Sequence, residues 1–87
     1  MEKIYTITSH GGIHARPATL LINTVDPFTS NIFIEYNDRQ VNLRSIIGVM
    51  SLDIPEGAKV RIIAEGDDEE QVMRIINTTM KKEGLCL

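Results

Sequence analysis

Apolar and polar positions divide the chain into segments of two periods. Glu2 to Thr8 is rich in Ile, Tyr and Thr and puts Tyr5 and Ile7 on one face, the mark of a strand. It stops at His10-Gly11-Gly12. Beyond the glycines Ala18, Leu21, Ile22 and Val25 recur at i, i+3, i+4 and i+7, the stripe of an amphipathic helix with Pro17 in its first turn. Asp26-Pro27 ends that helix, because proline disfavours the helical region for its predecessor and has no N–H. In Asn31 to Tyr36 the period returns to two, with Ile32, Ile34 and Tyr36 opposite Asn31, Phe33 and Glu35. Asn37-Asp38-Arg39 supplies a turn, and Val41 and Leu43 alternate in a short returning strand. Ser45 reads as the N-cap of a short helix over Ile46 to Leu52, which contains Gly48 and depends on tertiary contacts. After the turn Pro55-Glu56-Gly57, Lys59 to Glu65 alternates Val60, Ile62 and Ala64 with Lys59, Arg61 and Ile63. Asp67 to Glu83 is a helix with Val72, Ile75, Ile76, Thr79 and Met80 on one face, acids in its first turn, Lys81 and Lys82 in its last, and Gly84 beyond.

The order is β-α-β-β-α-β-α, and each strand has one predominantly apolar face. This predicts an α+β open-faced β-sandwich, a single sheet with its helices stacked on the apolar face. The other face would carry Ile4, Phe33 and Ile63 as a small exposed cluster. A chain of 87 residues supports one core, so one domain over residues 1–87 is expected, without a cleft between domains. Nine Lys+Arg against twelve Asp+Glu give a charge of -3, and without a basic run there is no footprint for nucleic acid. No stretch approaches the roughly 20 apolar residues of a membrane span, and MEKIYTITS lacks the apolar core of a secretory signal. Cys86 is the only cysteine; it can form no internal disulfide and supplies no thiolate metal site, so the chain is expected to be cytoplasmic, with Cys86 in a frayed tail.

The candidate chemistry lies in Gly11-Gly12-Ile13-His14-Ala15-Arg16-Pro17-Ala18-Thr19, where a histidine stands just before a helix start. The first N–H groups of a helix lack internal partners and favour an anion. An imidazole there can attack phosphorus through a ring nitrogen, and the phosphoryl oxygens could accept from the N–H groups around Ala15 to Ala18, one of which Pro17 removes. Arg16 adds a permanent cation suited to a transferring phosphoryl group. Against this stands the plainer reading of His14 as a capping residue and Arg16 as a solvated cation. A zinc pair of His10 and His14 at i, i+4 is disfavoured by the glycines between them and by the lack of other ligands nearby.

The segment GIHARPAT, followed by Val41-Asn42-Leu43-Arg44-Ser45-Ile46-Ile47-Gly48-Val49-Met50-Ser51-Leu52 and by the endings Gly66-Asp67-Asp68-Glu69-Glu70 and Met80-Lys81-Lys82-Glu83-Gly84-Leu85, resembles the HPr family, the histidine-containing phosphocarriers of the bacterial phosphotransferase system for sugar uptake. The resemblance spans essentially the whole chain. It implies a four-stranded antiparallel sheet of order 1-4-2-3 with three helices on one face. It also implies a phosphoryl carrier, not an enzyme, without cofactor or metal. His14 would be phosphorylated on Nδ1 by phosphorylated enzyme I, itself charged from phosphoenolpyruvate, and would pass the group to sugar-specific enzyme IIA, with Arg16 as the family's arginine beside the histidine.

Around Ser45 the sequence is similar to the form of low-GC Gram-positive bacteria. This implies phosphorylation of Ser45 by an HPr kinase/phosphorylase, a catabolite-control transcription regulator as a further partner, and a part in carbon catabolite repression. A regulatory paralogue that acts mainly by binding such a regulator is the alternative; the related catabolite-repression paralogue lacks the active histidine. Ile46, Ile47 and Met50 are expected to be exposed and to form with Thr19 and Leu20 an apolar docking patch on a monomer. The chain departs from the family where many members carry lysines toward the end of the first helix: Asn23 and Asp26 stand here, and Asp53 follows the second helix. Residues 1–52 hold four acids and four bases, so the net charge of -3 arises wholly in residues 53–87.

Overall fold

The computed structural model describes all 87 residues. The elements are β1 (Glu2–Thr6), α1 (Ala15–Val25), β2 (Asn31–Tyr36), β3 (Arg39–Asn42), α2 (Ile46–Ser51), β4 (Lys59–Glu65) and α3 (Glu69–Lys82). The four strands form one antiparallel sheet of order β1-β4-β2-β3, as the resemblance implied. β4 lies between β1 and β2, and Ile62 pairs with Lys3 on one side and Ile34 on the other. The row is continued by Val41 opposite Ile34. On this face Tyr5, Ile32, Ile34, Val60, Ile62 and Ala64 are buried, and the helices complete the core with Ala18, Leu21, Val25, Val49, Val72, Met73, Ile76 and Met80. Each fully buried Ile or Val contributes about 1.5–3 kcal/mol relative to exposure.

Alternate residues face out. Phe33 pairs with Ile63, and both are half-buried, while Ile4 is 57% exposed, so the expected apolar cluster exists but is broken by charge. Arg61 lies between Glu35 at 3.4 Å and Glu2 at 3.8 Å; ion pairs this exposed add little stability. Between β2 and β3, Asn37 (φ 55) and Asp38 (φ 64) form a two-residue turn with both central residues left-handed, which follows the twist of the flanking strands. Arg39, expected in the turn, is the first residue of β3.

The C-terminal segment corrects one expectation. Cys86 is buried and bridges Ile7, because the last turn of α3 closes with Leu85 N–H donating to Met80 O (2.8 Å) and Gly84 N–H donating to Lys81 O (3.2 Å). Thr8 N–H then donates to Leu85 O (3.0 Å) and Leu87 N–H to Thr6 O (3.2 Å), so the tail runs as a short strand along the free edge of β1. Burial pushes the Cys86 thiol up from its ordinary range, and burial raises the Tyr5 hydroxyl to about 12.

Two side chains join the helical layer to the start of β2. Arg44 is half-buried and donates to the carbonyls of Ser30 (2.8 Å), Val25 (3.3 Å) and Phe28, so its guanidinium covers the open C-terminal end of α1. Asp68, just before α3, accepts from Thr29 N–H (2.8 Å), Ser30 N–H (2.9 Å) and both hydroxyls. These bonds, the Ser30 hydroxyl foremost, lower the Asp68 carboxyl from 3.8 to about 2. A carboxylate depressed in the folded state stabilises the fold above its unfolded pKa, and that contribution is lost as pH falls from about 4 toward 2. In urea unfolding the native chain is therefore expected to be more stable than Asp68→Asn at pH 6, with the difference shrinking steadily below pH ~4. A gap independent of pH would show that Asp68 acts by shape alone.

Candidate functional site

His14 is the N-cap of α1, with extended backbone (φ -100, ψ -161) and an exposed ring. Three contacts place it. Ser9 closes a turn by accepting from Gly12 N–H at 2.9 Å and donating its hydroxyl to Gly12 O at 3.0 Å; Ile13, buried, donates its N–H to Ile54 O at 2.9 Å. Gly12 (φ 80) permits the approach: a Cβ there would lie 2.0 Å from Ile54 O and 2.8 Å from Pro55 backbone atoms. The loop before α1 is thus fixed against the segment after α2, and His14 projects from a buttressed backbone.

The imidazole makes no hydrogen bond or ion pair, and no side chain caps α1. The expected anion site is smaller than the sequence suggests. Ala18 N–H donates to His14 O at 2.9 Å, Ala18 is fully buried, and Pro17 has no N–H. The N–H groups of His14, Ala15 and Arg16 are left without an internal partner. At the helix start the Ala18 N–H is thus engaged within the helix and Pro17 offers none. Arg16 is exposed and forms no ion pair. It borders an open groove with Ala15, Thr19, Leu20 and Asn23 on one side and Glu83, at the end of α3, on the other. Sequence reasoning missed Glu83, since nothing local signals that the two helix ends meet.

His10 does not share a helix face with His14. It lies in the loop, fully exposed, with Nδ1 3.8 Å from Glu56 Oε1, and no cluster of three metal-ligating side chains occurs in the chain.

Ser45 is the N-cap of α2, as expected, and its exposed hydroxyl oxygen accepts from Gly48 N–H at 3.0 Å. Val49 and Leu52 are buried, whereas Ile47 is 80% exposed, Met50 42% and Ile46 39%. α2 packs against α1, where Thr19 is exposed and Leu20 is half-buried against the core. Arg39 holds the far end of α2 by donating to Ser51 O at 3.1 Å and Ser51 Oγ at 3.3 Å. Arg44, next to Ser45 in sequence, is committed to the end of α1. Asp53 follows α2 with a left-handed backbone (φ 50), and Asn23 and Asp26 stand exposed toward the end of α1.

The family model "PTS HPr component phosphorylation site" matches residues 1–82. A mycoplasma histidine-containing phosphocarrier protein is 38% identical over 99% of this chain and 98% of its own, with a TM-score of 0.95. The phosphocarrier protein HPr of Bacillus anthracis is 35% identical over 90% and 93%, with a TM-score of 0.83. Crh, the catabolite repression protein of Bacillus subtilis and a domain-swapped dimer, is 36% identical over 88% of both chains, with a TM-score of 0.75. With the strand order, the histidine at the start of α1 and a family match over nearly the whole length in agreement, the chain belongs to the HPr family, the phosphocarriers of the phosphotransferase system.

Proposed function

We propose that this protein, as a monomer, carries a phosphoryl group on Nδ1 of His14, accepting it from enzyme I and passing it to a sugar-specific enzyme IIA. The observation that supports this reading most is the exposed, unbonded imidazole at a helix start that keeps free N–H groups beside an unpaired arginine. The Nδ1 lone pair forms the bond to phosphorus while the donor's bond to phosphorus breaks, its electron pair leaving with the donor. The phosphoryl oxygens then accept from Ala15 N–H, Arg16 N–H and the Arg16 guanidinium. The helix start adds about 0.3–1 kcal/mol. Such modest holding suits a carrier, because a tightly held group would not be passed on.

Thr19, Leu20, Ile46, Ile47 and Met50 form the docking patch, a size suited to short-lived complexes. Ser45 is the regulatory site, modified by an HPr kinase/phosphorylase. A phosphate there brings about -1.5 to -2 charges to the patch edge, which would repel an acidic enzyme I and attract an Arg-rich transcription regulator. The Ser45 hydroxyl is exposed, and the N-cap geometry survives the added anion, so the modification changes charge and not fold. The likeness to Crh favours a second reading, a paralogue that works mainly through such a regulator; His14 itself speaks for the carrier.

Incubation with phosphoenolpyruvate and enzyme I is expected to give an acid-labile label that His14→Ala abolishes; no label under conditions that charge a known relative would overturn the carrier reading. With ATP and the kinase an acid-stable label is expected, lost in Ser45→Ala. Since Asn23 and Asp26 leave α1 without lysines near its end, transfer from enzyme I should slow less with added salt than in a lysine-bearing relative. A rate series against ionic strength with an equal or steeper slope contradicts that.

A further inference from the structure

The two glycines before His14 are glycine for different reasons. Gly12 is dictated by packing, as described above. Gly11 (φ 81) is exposed, and a Cβ built on it would meet one thing only, the His14 ring, at 3.2 Å from Cδ2 and 3.5 Å from Nε2. The Cδ2–Nε2 edge of the ring therefore lies over residue 11, and Nδ1 lies on the opposite edge. No group of this chain bonds Nε2; of the ionisable side chains in the neighbouring loops, His10 and Glu56 lie beside each other, with Nδ1 3.8 Å from Oε1.

A neutral imidazole that attacks through Nδ1 must carry its proton on Nε2. As the N–P bond forms, positive charge develops on the ring, and an acceptor at Nε2–H both fixes that tautomer and stabilises the charge, the part a carboxylate plays toward histidine in hydrolase triads. Residue 11 is where this chain could offer such an acceptor, and it has no side chain.

We infer that Gly11 is a positioning residue by omission. It leaves the Nε2 edge of His14 open, so that a carboxylate or carbonyl of the docked phosphoryl donor supplies the acceptor for Nε2–H. The imidazole is then set for attack only within the complex. This rests on the reading of His14 as the phosphoryl acceptor.

Two measurements test it. Nitrogen-15 NMR of the free protein above neutral pH should show His14 as a mixture of both neutral tautomers; a ring already held wholly as Nε2–H would overturn the inference without recourse to any variant. The second compares phosphorylation of the native chain and Gly11→Asn, since asparagine tolerates the left-handed backbone and would fill the gap with its own amide. With phosphorylated enzyme I as donor, Gly11→Asn should slow transfer about tenfold, the effect of one hydrogen bond to a charged group. With phosphoramidate, a small donor that brings no protein acceptor, Gly11→Asn should react at least as fast as the native chain, because its amide oxygen can accept from Nε2–H where nothing else does; this also shows that the variant is folded and its ring accessible. Equal rates with enzyme I, or equal slowing with both donors, would refute the inference. If the native chain takes no label from either donor, the carrier reading itself fails.

Discussion

The insertion of β4 between β1 and β2 is the constraint on which the rest depends. β4 is the last strand in the chain, and it ties β1 to the β2–β3 hairpin by pairing with β1 on one edge and with β2 on the other. Until it arrives, β1 has no partner in the sheet and β2 is paired only with β3. Its alternation of Val60, Ile62 and Ala64 with Lys59, Arg61 and Ile63 determines which side becomes core, because a slip of one residue would bring Arg61 inward. All three helices follow that choice.

The reactive loop draws its precision from the same arrangement. β1 and β4 lie side by side, so the chain leaving β1 passes the segment that enters β4: Ile7 N–H donates to Ala58 O at 2.8 Å, and Gly57 N–H to Ile7 O at 2.7 Å. Ile13 continues this ladder to Ile54. An exposed loop is normally mobile. Here the main chain is held on one side by backbone hydrogen bonds while the His14 ring is left unbonded on the other. The backbone is thus fixed while the side chain stays free.

The charged side chains fall into two groups by their partners. Arg44 and Asp68 are saturated with hydrogen bonds to the ends of α1 and β2 and hold layers together. Arg16, four-square at the start of α1, has none. For a transient carrier this division is physically sensible, since a cation already committed to carbonyls cannot follow a phosphoryl group without breaking the fold.

Periodicity determined the strands, the helices and the class of fold, because burial against a flat sheet demands a period of two and burial of a helix face one near 3.6. The motif around His14 likewise placed that histidine at a helix start, since a helix start is a local feature. Other features were not legible. Met73 joins the core beside Val72, outside the single face that the apolar spacing marked on this helix. Cys86 is buried by pairing with Ile7, a contact across most of the chain. The engagement of Ala18 N–H with His14 O took that donor from the helix start, and Arg16 and Glu83, remote in sequence, came to line one groove. Sequence by itself determined which residues repeat, cap or break, because those properties belong to neighbours along the chain; the tertiary structure alone decided which donors stay free and which ring edge stays open, because that depends on what other segments occupy the space.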